Sequence, residues 1–84
     1  AVHGLTMWLA TYWADENIRV NTLVPGGIFN AHDKSFQQSY SNRVPMGRMA
    51  SPSDMVGMAL FLISEHSSYI TGQQFIVDGG LSAW

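Results

Sequence analysis

Between Ala1 and Glu16 the chain carries no proline and one glycine, and Leu5, Trp8, Leu9, Tyr12 and Trp13 recur at the spacing of one helical face, with Val2 and Met7 beside them. This pattern predicts an amphipathic helix with a wide buried stripe. No Ser, Thr, Asp or Asn precedes Ala1 to cap it, while Asn17 tolerates the left-handed conformation found just past a helix and marks the other end. Ile18 to Val24 is a run rich in β-branched residues closed by Pro25-Gly26-Gly27, which predicts a buried strand stopped by a turn; Arg19 and Asn21 are unusual guests in it. From Ile28 to Arg43 the period weakens, and the segment reads as a loop holding a short helix near Asp33 to Ser41. A second clear helix opens at Ser51-Pro52-Ser53-Asp54. There Ser51 can cap, Pro52 occupies the first helical position and Asp54 can close a capping box, with Met55, Val56, Ala59, Leu60, Leu62 and Ile63 expected on the buried face. A polar cluster, Ser64 to Ser68, ends it, and Gln74 to Val77 reads as a short strand running into Asp78-Gly79-Gly80. Two strands joined by a long helical crossover are the grammar of an α/β fold with a parallel sheet.

Composition narrows the possibilities. With 84 residues, 46% of them hydrophobic and 12% charged, the chain is at most one domain. A core of that size rarely supplies more than about 3–5 kcal/mol, so small domains usually add staples, and the lack of cysteine removes disulfides and thiolate zinc sites. Four Lys+Arg against six Asp+Glu give a formal net charge of −2, too few basic residues for a phosphate-neutralising patch, so nucleic acid is not an expected partner. No apolar run approaches the roughly 20 residues of a membrane span. No basic, apolar leader opens the chain, so neither membrane insertion nor secretion is expected and a soluble, cytoplasmic protein fits best. A chain that starts at Ala1 already inside a helical pattern reads as a piece of something longer.

Candidate chemistry is sparse. His3, His32 and His66 lie in different elements without a spacing such as H-E-x-x-H, so no metal site is expected. Ser64, His66 and Asp78 lack a G-x-S-x-G elbow, and no catalytic residue is assigned. Gly26-Gly27 and Gly79-Gly80 lack the spacing of a phosphate loop. Pro25-Gly26-Gly27 follows a strand of a parallel sheet, where such sheets bind ligands, so it is either a ligand turn or a plain turn. Phe29, Phe36 and Tyr40 are either a flap that closes over a small molecule or a loop held by a satellite cluster.

Taken together, Ile18-Arg19-Val20-Asn21, Pro25-Gly26-Gly27-Ile28, Pro45-Met46-Gly47-Arg48-Met49, Phe61-Leu62, Tyr69-Ile70-Thr71-Gly72-Gln73 and Val77-Asp78-Gly79-Gly80 resemble, in order and spacing, the C-terminal third of the short-chain dehydrogenase/reductase family. The resemblance covers essentially the whole chain. It implies a Rossmann-type doubly wound parallel sheet, with residues 1–84 as a partial NAD(P)-binding domain holding the last two strands, the turn beside the nicotinamide and the substrate lid. It further implies NAD or NADP as cofactor, a small carbonyl or secondary-alcohol substrate, and a homo-oligomer, dimer or tetramer. Pro25, Gly26, Ile28 and Asn30 match the cofactor-contacting turn, with the Ile28 backbone at the carboxamide and Asn30 where the family commonly has threonine. Phe29, Phe36 and Tyr40 fall in the lid, and Arg19 and Asn21 match structural strand positions. The family's Tyr-x-x-x-Lys motif and glycine-rich loop do not occur in these residues. The isolated chain is therefore expected to be inactive, the alternative being a non-enzymatic module that pairs with full-length dehydrogenase subunits.

Overall fold

The computed structural model describes residues 1–31 and 33–84. His32, one of the three histidines weighed above, lies outside the described residues. The main elements are α1 (Val2–Tyr12), β1 (Thr22–Pro25), α2 (Lys34–Arg43), α3 (Ser53–Ile63) and β2 (Gln74–Val77), with single 3-10 turns at Ala14–Glu16, Glu65–Ser67 and Leu81–Ala83. The two strands form one sheet. The Thr22 N–H donates to the Gln73 carbonyl and the Gly26 N–H to the Val77 carbonyl, both at 2.9 Å. Both residue numbers rise together, so the pairing is parallel, as the element order predicts. The chain divides into two compact units, Ala1–Leu23 with Met58–Phe75, and Val24–Gly57 with Ile76–Trp84.

In the first unit α1 packs through its small residues. Thr6 and Ala10, one turn apart, are its buried positions. The Thr6 hydroxyl donates to the Val2 carbonyl at 2.9 Å and hydrogen-bonds the Thr22 hydroxyl. The Ala10 methyl lies 3.4 Å from where a Cβ on Gly72 would stand. Such close approach admits only short side chains. The expected buried stripe is therefore overturned: Leu5, Trp8 and Tyr12 are exposed, while Leu9 and Trp13 are half-buried. Trp8 and Tyr12 stack on that exposed face with ring centroids 5.2 Å apart. The helix ends at Tyr12, short of Glu16, and Asn17, at φ 60°, closes the 3-10 turn as its residue type predicts.

The strand is also shorter and later than its apolar run. Ile18 is exposed, and Arg19 to Asn21 are tied by side chains ahead of the ladder. Arg19 Nη2 donates to the Leu62 and Ser64 carbonyls at 2.8 and 3.3 Å, and Nη1 to Ile70 at 3.2 Å. The Leu62 and Ser64 carbonyls, at and just beyond the C-terminal end of α3, need donors that the helix cannot supply. Asn21 bridges the Ile70 carbonyl and the Gln73 N–H at 3.0 and 3.1 Å. The polar guests in the run are thus backbone anchors. Ser67, fully buried, donates to the Leu62 and Ser64 carbonyls.

In the second unit Val44 and Met49 are buried. Asp33 caps α2, its carboxylate accepting from the Phe36 N–H at 2.7 Å. The start of α3 uses half of the predicted capping box. Asp54 reaches back to accept from the Ser51 N–H at 2.8 Å and the Ser51 hydroxyl at 3.1 Å. The buried face expected for α3 shifts: Val56, Ala59, Leu60 and Ile63 are exposed, and the half-buried apolar positions are Met55, Met58 and Leu62. Their spacing of three and four still marks one helical face, rotated from the predicted one.

Candidate functional site

The carboxyl end of β1 runs into a turn built of backbone groups. Pro25 is the exposed last residue of the strand, and its missing N–H is not one the ladder uses, since the next residue, Gly26, makes the bond to Val77. Gly26 follows in close contact with the end of β2, since a Cβ there would stand 2.9 Å from both Cα and Cβ of Asp78. Gly27 is equally crowded. Its N–H donates to the Tyr40 phenol at 2.6 Å, and an added Cβ would meet the same ring, 2.7 Å from Cε1. Neither gap is open space.

Beyond the glycines, Ile28 forms an isolated parallel bridge with Ala50. The bridge consists of the Ala50 N–H donating to the Gly27 carbonyl at 2.9 Å and the Phe29 N–H donating to the Ala50 carbonyl at 2.7 Å. A trans peptide holds its C=O and the next N–H on opposite sides. With Gly27 C=O and Phe29 N–H turned to Ala50, the N–H and C=O of Ile28 both face the other way. They form an adjacent donor and acceptor that the bridge does not use.

Asn30, two residues on, is exposed, and Ala31 takes φ 54°, a conformation uncommon for a residue with a side chain. Phe29 and Phe36 are exposed, and Tyr40 is half-buried. Phe36 and Tyr40 stack with centroids 6.3 Å apart, and the Arg43 guanidinium carbon lies 5.5 Å from the centre of the Tyr40 ring.

A cavity of about 180 Å³ adjoins the turn, with Gly26, Tyr40, Arg48, Asp54 and Asp78 among its lining. It brings Gly26 together with Tyr40; Pro25, Ile28, Asn30, Phe29 and Phe36 lie outside its wall. Arg48 makes a forked contact to Asp54 at 2.7 and 3.1 Å. The guanidinium hydrogen bond, followed by the Ser51 N–H, holds the Asp54 carboxyl well below the usual carboxylate range, and Asp54 in turn raises Arg48. Asp78 accepts from the Gly80 and Ser82 N–H groups at 2.9 and 3.0 Å, and its carboxyl is lowered, chiefly by Ser82. Sequence reasoning missed Ala50 as the partner of Ile28, because an alanine in a loop carries no signal of pairing. The Arg48–Asp54 contact had a signal, an Arg shortly before a helix that opens with Asp. Among the described residues no three His, Cys, Asp or Glu side chains group to hold a metal ion, and no helix is long and apolar enough to cross a membrane.

Residues 1–82 match the sequence model of the family described as enoyl-(acyl carrier protein) reductase. A short-chain dehydrogenase from Leptospira borgpetersenii, solved with bound NAD+, superposes with a TM-score of 0.91 at 46% identity over 95% of this chain. The chain belongs to the short-chain dehydrogenase/reductase family. Other relatives are similar over part of their length. Galactitol 2-dehydrogenase (L-tagatose-forming) from Cereibacter sphaeroides is 39% identical over 100% of this chain, and D-arabinitol 2-dehydrogenase (ribulose-forming) from Scheffersomyces stipitis is 42% identical over 90% of it. The chain spans about a third of these short-chain dehydrogenases, 35% and 30% of their lengths, and 32% of the Leptospira protein. The Rossmann-type parallel α/β architecture expected from the motifs is the one these relatives share.

Proposed function

We propose that residues 1–84 are the C-terminal part of a single NAD(P)-binding Rossmann domain, in an oxidoreductase that moves a hydride between the nicotinamide and a carbonyl or secondary alcohol. The observation that carries this reading is the unused N–H and C=O pair of Ile28 at the carboxyl end of a parallel strand, where such sheets receive ligands. A primary carboxamide has an acceptor and a donor side by side and complements that edge with two hydrogen bonds. When bound, NAD or NADP supplies the hydride carrier. The Ile28 backbone orients it, Pro25 and Gly26 place that backbone at the strand end, and the Asn30 side chain offers one further polar contact. Phe29, Phe36 and Tyr40, carried by the segment that follows, cover the substrate and exclude water from it.

None of Tyr12, Tyr40 and Tyr69 has a lysine four residues on, so the groups that handle the proton lie in other residues of the whole protein, and the isolated chain is inactive. The whole protein is read as cytoplasmic and as a homo-oligomer, dimer or tetramer. The polyol dehydrogenases among its relatives make sugar alcohols the first substrates to assay. Titration of the isolated chain with NADH and NADPH is expected to give affinity weaker than micromolar, and tighter binding overturns the division of labour. In the full-length enzyme, nicotinamide mononucleotide is expected to shift the Ile28 amide resonance. A Phe29–Asn30 response with Ile28 unmoved would place the ring elsewhere. The exposed apolar face of α1 favours a second reading, a module that pairs with dehydrogenase subunits; an upstream reading frame containing Tyr-x-x-x-Lys decides against it.

A further inference from the structure

We propose that Tyr40 is a positioning residue that locks the lid helix to the nicotinamide-side turn, an inference that rests on the function proposed above. Three observations converge on it. The phenol oxygen accepts the Gly27 N–H at 2.6 Å, and its ring fills the room that the absent Gly27 side chain leaves. The other polar group of Gly27, its carbonyl, is held by the Ala50 N–H, so both sides of the residue that precedes Ile28 are fixed from outside the turn. Finally, α2 has exposed positions throughout except Tyr40 and Ser41, which are half-buried.

The ends of α2 are secured separately. Asp33 caps its start, and the Trp84 indole N–H donates to the Arg43 carbonyl at 3.1 Å near its finish. Removing the phenol hydroxyl therefore leaves the helix in place and frees its rotation about its long axis. That rotation carries Phe36, stacked on Tyr40, with it. The Gly26–Gly27 peptide loses its tie to the lid helix at the same moment, while the Gly27–Ile28 peptide keeps the bond from its carbonyl to Ala50. One hydrogen bond thus couples the turn that leads into Ile28 to the height of the lid.

The test uses the full-length enzyme and the variants Tyr40→Phe and Gly27→Ala, with hydrogen exchange of the peptide containing Gly26 and Gly27 read beside steady-state kinetics. Tyr40→Phe is expected to speed exchange at the Gly27 amide while the Gly26 amide, bonded to Val77, stays protected. Substrate KM should rise about tenfold with kcat changed less than about threefold, because a lid no longer held at its height loses binding that ground and transition states share. Gly27→Ala should raise KM at least as much, and adding Tyr40→Phe to it should cost nothing further, because the ring is already displaced. Unchanged exchange at Gly27 in Tyr40→Phe, or additive losses in the double variant, overturns the lock. Absence of any NAD(P)-dependent turnover in the unmodified protein overturns the function instead, and the exchange measurement still decides the lock.

Discussion

The two strands end in turns that look alike on paper, Pro25-Gly26-Gly27 after β1 and Asp78-Gly79-Gly80 after β2, yet glycine is required for different reasons in each. In the first turn neither glycine has a positive φ, and each is needed for space, Gly26 against Asp78 and Gly27 against Tyr40. In the second, Gly79 and Gly80 stand at φ 66° and 96°, where a side chain is strained whatever the room, and Asp78 holds the turn with its carboxylate. A turn shaped by its neighbours can pass their movement on to the backbone it carries. A turn shaped by its own dihedrals and its own carboxylate is a fixed stop. The first suits a strand end that leads into the backbone proposed to hold a ligand, and the second suits an anchor.

The largest expected effect is at the anchor. Gly79→Ala combines an unfavourable φ with a Cβ placed 2.7 Å from Cγ1 of buried Val44, and should destabilise the full-length protein by about 2–4 kcal/mol in urea unfolding. Adding Val44→Ala should relieve only the clash. If the pair is no worse than Val44→Ala alone, conformation is not the constraint and the contrast between the turns collapses. Gly26→Ala should cost less, about 1–3 kcal/mol, because only overpacking against the Asp78 backbone acts there; a neutral substitution would show that the strand end is looser than its 2.9 Å spacing implies. The smallest effect concerns pH. The Asp78 carboxyl titrates below its ordinary range in the folded protein, so its contribution is present above the unfolded value of about 3.9 and is lost as pH falls through the lowered folded value. Asp78→Asn should lower the melting temperature slightly at neutral pH and reduce its acid-side slope. An unchanged slope would mean that the backbone alone holds this turn.

Local signals carried much of the fold. Asn17 and Asp33 mark helix boundaries because their side chains act on backbone within a few residues, and Gln74 to Val77 is a strand as its composition predicts. The Ile18 to Val24 run misled at its start, since β-branched residues favour extended backbone whether or not a ladder forms. Arg19, Val20 and Asn21 found partners around residues 62–73 that no local window contains. Pro25, Gly26, Ile28 and Asn30, proposed above to contact the cofactor, were legible as a motif. The pairing of Ile28 with Ala50 and of Gly27 with Tyr40 was not, because each joins segments by a contact that leaves no periodic trace.

By itself the sequence determined the order of helices and strands, the parallel α/β class and the family, because periodicity, caps and ordered motifs are properties of neighbouring residues and their spacing. Only the tertiary structure decided which face of α1 is packed. Periodicity counts Leu5, Trp8 and Tyr12 as the inner stripe, but the close approach to Gly72 and Thr22 admits Thr6 and Ala10 and turns the large rings outward. The same holds for the glycines after β1, whose vacant side-chain positions are filled by Asp78 and Tyr40, residues fifty-two and thirteen positions away. Hydrophobicity states that a side chain prefers cover; the distance between backbones states which side chains can have it.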